Sequence, residues 1–194
     1  MEFFFNEIKK RIKEAVEKEF PRIKKELGKE KVYAVAFVTD SDCVTLWLGV
    51  NTYEFLEKKD AEYAAKGYGE TKWFPSEWGY SDGNSQISRI GVELSEKMGS
   101  VISHIKSHAD NLSYKQLYDL IENSGFSKLF IETVTSAFLE LIQSNVFGFN
   151  PDEVTYFISM SDDNRTVEIE NNSANVLNSQ KVYKEFKKRF EGIE

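Results

Sequence analysis

Two β-rich runs limit the fold more than any other feature of this sequence: Val32–Val38 and Val44–Val50, divided by Thr39-Asp40-Ser41-Asp42-Cys43. The small polar residues of the divider favour turns, so the two runs read as a β-hairpin. Successive side chains of a strand point to opposite faces. Yet Tyr33-Ala34-Val35-Ala36-Phe37 and Leu46-Trp47-Leu48 are apolar at almost every position. Strands apolar on both faces belong inside a protein, so the hairpin is expected to lie centrally, with helices covering it.

Helices to cover it are visible on either side. Phe4, Ile8, Ile12, Ala15, Val16, Ile23 and Leu27 recur at helical spacing among lysines and glutamates, and Gly28 can end that helix. Pro21 lacks the backbone donor and crowds the preceding turn, which predicts a kink or break near Phe20 and possible division into two pieces. Asn51-Thr52 offers a cap for a helix over 53–66, with Gly67 at its end. From Ser85, the series Ile87, Ile90, Leu94, Met98, Val101, Ile102 and Ile105 is again helical, although Gly91 and Gly99 weaken it. Ser113-Tyr114-Lys115-Gln116 is a capping box that opens a short helix ending near Gly125. Phe130, Val134, Phe138, Leu141 and Ile142 mark a further helix before the turn Gly148-Phe149-Asn150-Pro151, and Val182, Phe186 and Phe190 form a last stripe. Val154–Met160 reads as a strand, and the alternation in Thr166-Val167-Glu168-Ile169-Glu170 suggests a short edge strand. No repeat or linker divides the 194 residues. The expected fold is therefore one α+β domain over residues 1–194. Its central sheet should be mostly antiparallel and of about four strands, from the hairpin 32–50 and strands near 154–160 and 166–170, packed by helices.

Charge narrows the choice of partner. The net charge is -7, but residues 1–31 hold ten basic against seven acidic residues, whereas residues 32–180 hold ten against twenty-two. An acidic body repels phosphates, so no nucleic-acid partner is expected and a basic protein is the easier one. No apolar run approaches the roughly 20 residues of a membrane span. The start Met1-Glu2-Phe3-Phe4-Phe5-Asn6-Glu7 has no basic leader, so neither membrane insertion nor secretion is expected. Cys43 is the single cysteine and lies in an apolar stretch, which suits a buried, inert thiol and a cytoplasmic protein.

Reactive constellations are sparse. His104 and His108 lie four apart on a helix, a spacing that aims two metal ligands at one face and would serve a metal-dependent hydrolase. The segment His104-Ile105-Lys106-Ser107-His108 lacks the glutamate expected beside the first histidine, and Asp110 could join only by leaving the helix. Glu70-Thr71-Lys72, with Asp60 or Asp82, superficially matches a nuclease carboxylate–lysine set. No phosphate-binding glycine loop occurs, and no cofactor is expected.

The least ordinary stretch is Lys72-Trp73-Phe74-Pro75-Ser76-Glu77-Trp78-Gly79-Tyr80. Trp73 and Trp78 can bury their rings as a plug whose turn Pro75 fixes, or, with Tyr80, present their edges to a partner. The plug is favoured, since two bare tryptophans invite aggregation. Asp40, Asp42, Glu70, Glu77 and Asp82 are the acids best placed in sequence to steer a basic partner toward this segment.

Asn51-Thr52-Tyr53-Glu54 after a strand, Lys72–Trp78 with its Trp-x-Pro-x-Glu-Trp pattern, Phe157-Ile158-Ser159-Met160-Ser161-Asp162 and Leu177-Asn178-Ser179 occur in that order. Together they resemble the bacterial domain of unknown function 4303 family over nearly the full chain. The resemblance brings no catalytic residues to carry across. It implies a setting like that of immunity proteins encoded beside polymorphic toxins, in which a small cytoplasmic protein binds and blocks a toxin domain. The expected function is accordingly a non-enzymatic binding protein of immunity type, acting by steric and electrostatic occlusion. The alternatives are the hydrolase built on His104 and His108, and a structural or oligomeric accessory protein.

Overall fold

Every strand of the sheet is placed by its relation to the apolar hairpin. In the computed structural model, which describes residues 1–66, 71–83, 85–109 and 111–191, β1 (Val32–Asp40) pairs antiparallel with β2 (Trp47–Thr52). β3 (Tyr80–Ser81) adds antiparallel to β2, and β4 (Thr155–Ser161) lies parallel to β1 on its other side, giving the order β3-β2-β1-β4. The fold is α+β with a mostly antiparallel four-stranded sheet, as expected, but the β1–β4 pairing is parallel, and the fourth strand is Tyr80–Ser81 rather than 166–170. The β1–β2 register slips between Val32 and Ala34. This bulge puts Tyr33 on the same face as Ala34, Ala36 and Val38, while Val35 and Phe37 serve the other.

The face of Val35 and Phe37 carries the larger core, with α1 (Glu2–Leu27), α3 (Gln86–His108) and α5 (Phe126–Gln143) contributing. Phe138 of α5 meets Phe37 edge to face at 4.8 Å and Tyr156 at 5.6 Å, joining helix to sheet through rings. α1 runs through Pro21 as one helix, so the chain is not divided into two pieces there. The proline is exposed, so its missing donor and its ring lie on the solvent side, while Phe20 and Ile23 on either side are buried and hold the helix to the core.

The two glycines of α3 are there for different reasons. A Cβ on Gly91 would stand 2.9 Å from the Val44 carbonyl oxygen, so this glycine permits close approach of helix and hairpin, whereas a Cβ on Gly99 would meet nothing within 4 Å. Gly91→Ala is expected to destabilise by about 1–3 kcal/mol through overpacking. Gly99→Ala, in the same helix, is expected to stabilise by roughly 0.5–1 kcal/mol through lost backbone freedom in the unfolded chain. Urea unfolding of the pair should therefore show opposite signs.

The second face is covered by α2 (Tyr53–Ala64), the 71–79 segment with its 3-10 turn Pro75–Glu77, and α7 (Gln180–Lys187). α6 (Thr166–Leu177) lies along the outer edge of β4 and feeds Leu177 to one core and Ala174 to the other. It also closes that edge. Asn178 accepts from the Tyr156 backbone N–H at 2.8 Å and donates to the Tyr156 carbonyl at 2.6 Å, and Ser173 Oγ accepts from the Ile158 N–H at 2.9 Å. The alternation in 166–170 is thus the opening of a helix: its buried positions Glu170, Ser173, Ala174 and Leu177 recur at helical spacing, and Val167 is exposed. α4 (Tyr114–Asn123) opens with the expected capping box on Ser113 and Gln116 and buries none of its residues. Among the described residues, no helix is long and apolar enough to cross a membrane.

Candidate functional site

The segment 71–79 is fastened to the second face by buried polar bonds rather than by apolar contact alone. Tyr33, 2% exposed, donates its hydroxyl to the Lys72 carbonyl at 2.7 Å, and Trp78 Nε1 donates to the same oxygen at 3.1 Å. Asn51 donates to Tyr33 Oη at 2.9 Å and accepts from the Gly79 N–H at 3.3 Å. Burial pushes the Tyr33 hydroxyl pKa well up, so it stays a donor. Asp60 Oδ1 takes both the N–H and the hydroxyl of Thr71, each at 2.9 Å, which pins the segment to α2. A glycine at 49 leaves room for the tryptophan: a Cβ there would lie 3.2 Å from the Trp78 ring. Trp73 and Trp78 are both half-buried and packed on the smaller core, so each is part plug and part surface.

Beside Trp73 the segment leaves a cleft of about 310 Å³. Its aromatic walls are Tyr33, Tyr53, Trp73 and Phe186: Trp73 stands edge-on to Tyr33 at 5.7 Å and to Phe186 at 5.0 Å, and Tyr53 lies 5.1 Å from Tyr33. The Lys72 ammonium sits over three of these rings, 5.1 Å from Trp73, 5.7 Å from Tyr33 and 6.0 Å from Tyr53. It forms no ion pair among the described residues. Asp152, Glu153 and Glu185, all exposed and likewise without ion pairs among the described residues, complete the lining. Arg189 also lines the cleft, but its charge is spent: it lies 3.9 Å over the Phe186 ring and is paired with Glu170 at 2.7 Å in a bridge whose side chains are 1% and 4% exposed. A second ammonium, that of Lys31, lies 5.6 Å over the outer wall ring Tyr53, so the charges at the cleft are two ammoniums and three carboxylates. Chemically, electron-rich ring faces under a rim of negative charge make a receptor for a cation.

The acids singled out in sequence have diverse places. Asp42 is exposed. Asp40 organises the hairpin turn, accepting from the Val44 N–H at 2.9 Å while Cys43, at φ 58°, takes the left-handed position. Glu77 accepts from Tyr63 Oη and pairs with Lys59 at 3.2 Å, and the Tyr63 hydrogen bond holds its carboxyl below the usual range. Glu70 lies outside the described residues. Tyr80 is not beside Trp78 in use: it packs on the larger core, donates to Glu30 at 2.8 Å, and desolvation raises its pKa to about 12. Asp82 is 2% exposed and cannot steer anything; it accepts from the Leu48 N–H at 2.8 Å and from Ser85 Oγ, joining β2 to the start of α3. Cys43 is buried, with its thiol pushed up to about 12 by desolvation.

Burial raises the Asp82 carboxyl above its ordinary 3.8 despite these donors. The folded state then binds this proton more tightly than the unfolded one, so the Asp82 contribution to stability falls as pH rises from about 4 through the raised value. Asp82→Asn removes that slope. Relative to the parent, the variant should gain stability progressively as pH rises from about 4 through the raised value, read in urea titrations.

His104 and His108 do share a face, with rings 4.4 Å apart and His108 Nδ1 2.9 Å from the His104 carbonyl. Both are exposed, and no His, Cys, Asp or Glu joins them as a third ligand among the described residues; Asp110 lies outside those. A second groove of about 670 Å³ runs between α5 and α6 over Ile131, Leu139, Ile169 and Val176. Its rim mixes Lys128 and Arg165 with Glu132 and Glu168, so it selects no sign of charge.

Sequence reasoning found Trp73 and Trp78 but not Tyr33, Tyr53, Phe186 or the rim acids. Their only signal was the apolar spacing of Val182 and Phe186, since the cleft joins a strand, a segment and two helices distant in sequence. No curated protein and no solved structure matches the chain. The profile of the domain of unknown function (DUF4303) matches residues 12–179, a span that holds most of each core, β1 to β4 and most of the aromatic cleft, and the chain belongs to that family.

Proposed function

We propose that this protein is a non-enzymatic binding protein of immunity type, which occludes a basic toxin domain. The observation that supports this reading best is the aromatic cleft with its rim acids Asp152, Glu153 and Glu185, which form no ion pair among the described residues. It offers a desolvated anchor inside an attracting field, the division of labour by which interfaces gain affinity from buried aromatic groups and encounter rate from charge. The acidic stretch 32–180 extends that field. The immunity setting implied by the resemblance supplies the class of partner.

Capture of the tagged protein from its native host's lysate at low and high salt, with mass spectrometry, names the partner. The deciding step is growth: a host expressing the captured protein should be poisoned alone and rescued when this chain is co-expressed. A captured protein that is harmless, or whose toxicity persists, overturns the immunity reading. With a partner in hand, the triple variant Asp152→Lys, Glu153→Lys, Glu185→Lys should slow association by about tenfold or more at low ionic strength. That difference should fade at 1 M salt, where screening acts over about 3 Å.

A further inference from the structure

We infer that the cleft is a receptor for a single lysine or arginine side chain of the partner, and that the Lys72 ammonium now holds the place this guest takes. The inference rests on the reading that the partner is basic. Lys72 acts as an internal stand-in: with its carbonyl anchored by Tyr33 and Trp78, its ammonium lies over Trp73, Tyr33 and Tyr53 and forms no ion pair among the described residues, and Lys31 adds a second ammonium over Tyr53. The three carboxylates that line the cleft meanwhile form no ion pair among those residues. Lys72 reaches the rings and leaves the acids unmatched; a guest from outside can engage both. A guanidinium suits this doubly, because its flat face stacks on a ring while its edge donates to carboxylates. The volume allows it: at about 30 Å³ per water, the cleft holds on the order of ten waters, ample room for a butylammonium or propylguanidinium group. Arg189 does not compete, being locked to Glu170 and Phe186.

The test uses the whole chain and small probes at fixed ionic strength: N-acetyl-arginine methylamide, N-acetyl-lysine methylamide and tetramethylammonium, with acetate as the anionic control. Binding is followed by the shift of the Trp73 indole N–H in nitrogen-labelled protein. The cations should shift it saturably and acetate should not. Lys72→Met, which vacates the Trp73 and Tyr33 rings and leaves Lys31 over Tyr53, should tighten the arginine probe by about threefold to tenfold. Trp73→Leu should weaken it by about tenfold, read on the Tyr33 and Tyr53 ring signals, whereas Trp73→Phe, which keeps a ring and guards against misfolding, should retain most of the affinity. Glu153→Gln with Glu185→Gln should weaken the two amino-acid probes more than tetramethylammonium, which has no N–H to donate. Saturation by acetate in place of the cations, or a Lys72→Met variant that binds no tighter, overturns the inference. If the probes behave as expected but no captured protein is neutralised in the growth assay, the immunity reading fails and the cation receptor stands; the reverse pattern fails the receptor alone.

Discussion

Arg189→Met is expected to lower the unfolding free energy by about 3–5 kcal/mol, because it leaves Glu170 as an uncompensated buried charge. The bridge is almost wholly enclosed, with side-chain exposures of 1% and 4%. Ser159 donates to the other Glu170 oxygen at 2.7 Å, and Arg189 donates further to Asn171 and to the Phe186 carbonyl. Desolvation already raises the Glu170 carboxyl despite the guanidinium beside it, so the lone acid would take up a proton at higher pH still. The loss should therefore be largest near neutral pH and shrink on acidification toward the Glu170 pKa. Replacing both partners, Arg189→Met with Glu170→Leu, should recover much of the loss, since a buried pair exchanged for apolar groups of like volume is often neutral. Denaturant midpoints of the three variants at pH 5 and 7 check the sign and the recovery.

The second large effect separates the two faces of the sheet. Phe157→Ala and Phe138→Ala each truncate a fully buried ring, and each should cost about 3–5 kcal/mol. Their spectroscopic signatures should differ. Phe157 is the floor under Trp73, Trp78 and Phe186, at 6.2, 5.7 and 4.8 Å. Its loss should loosen both tryptophans, redden their emission and flatten the near-ultraviolet circular dichroism while the protein is still folded. Phe138 touches Phe37, Phe147 and Tyr156 on the opposite face, so its loss should leave tryptophan emission in place. A red shift in both variants would mean that the faces do not pack independently.

Where a structural choice was local, it could be read from the sequence. Ser85 and Thr52 cap their helices by accepting from Ile87 and Phe55, and Ser113 with Gln116 closes its box, all within three residues. The two-faced apolarity of β1 likewise announced its central place. It did not announce the neighbour: Ala34 pairs in parallel with Thr155, and nothing in a strand apolar on both faces distinguishes parallel from antiparallel pairing. Five residues such as 166–170 fit a period of two and a period of 3.6 equally well until the pattern is followed to Leu177. The site follows the same division. Trp73 and Trp78 stood out within one segment, but the bulge that turns Tyr33 toward them depends on the β1–β2 register. Asp82 looked like a solvated acid because the Leu48 N–H that it satisfies is remote in sequence.

The parallel pairing of β1 with β4 also sets an order of events during synthesis. The β1–β2 hairpin closes over a short loop as soon as both strands have emerged, whereas β4 must wait for α2, α3, α4 and α5 to be made. Through that interval the nascent chain holds β1 with one bare edge and incompletely covered faces, the state in which sheets associate wrongly. Completion comes only when β4 arrives with α6 directly behind it, the helix whose Ser173 and the following Asn178 seal the new edge in the same step. Chains interrupted before that point should be the aggregation-prone ones and the natural clients of chaperones, even though they already contain the hairpin and the helices of the larger core.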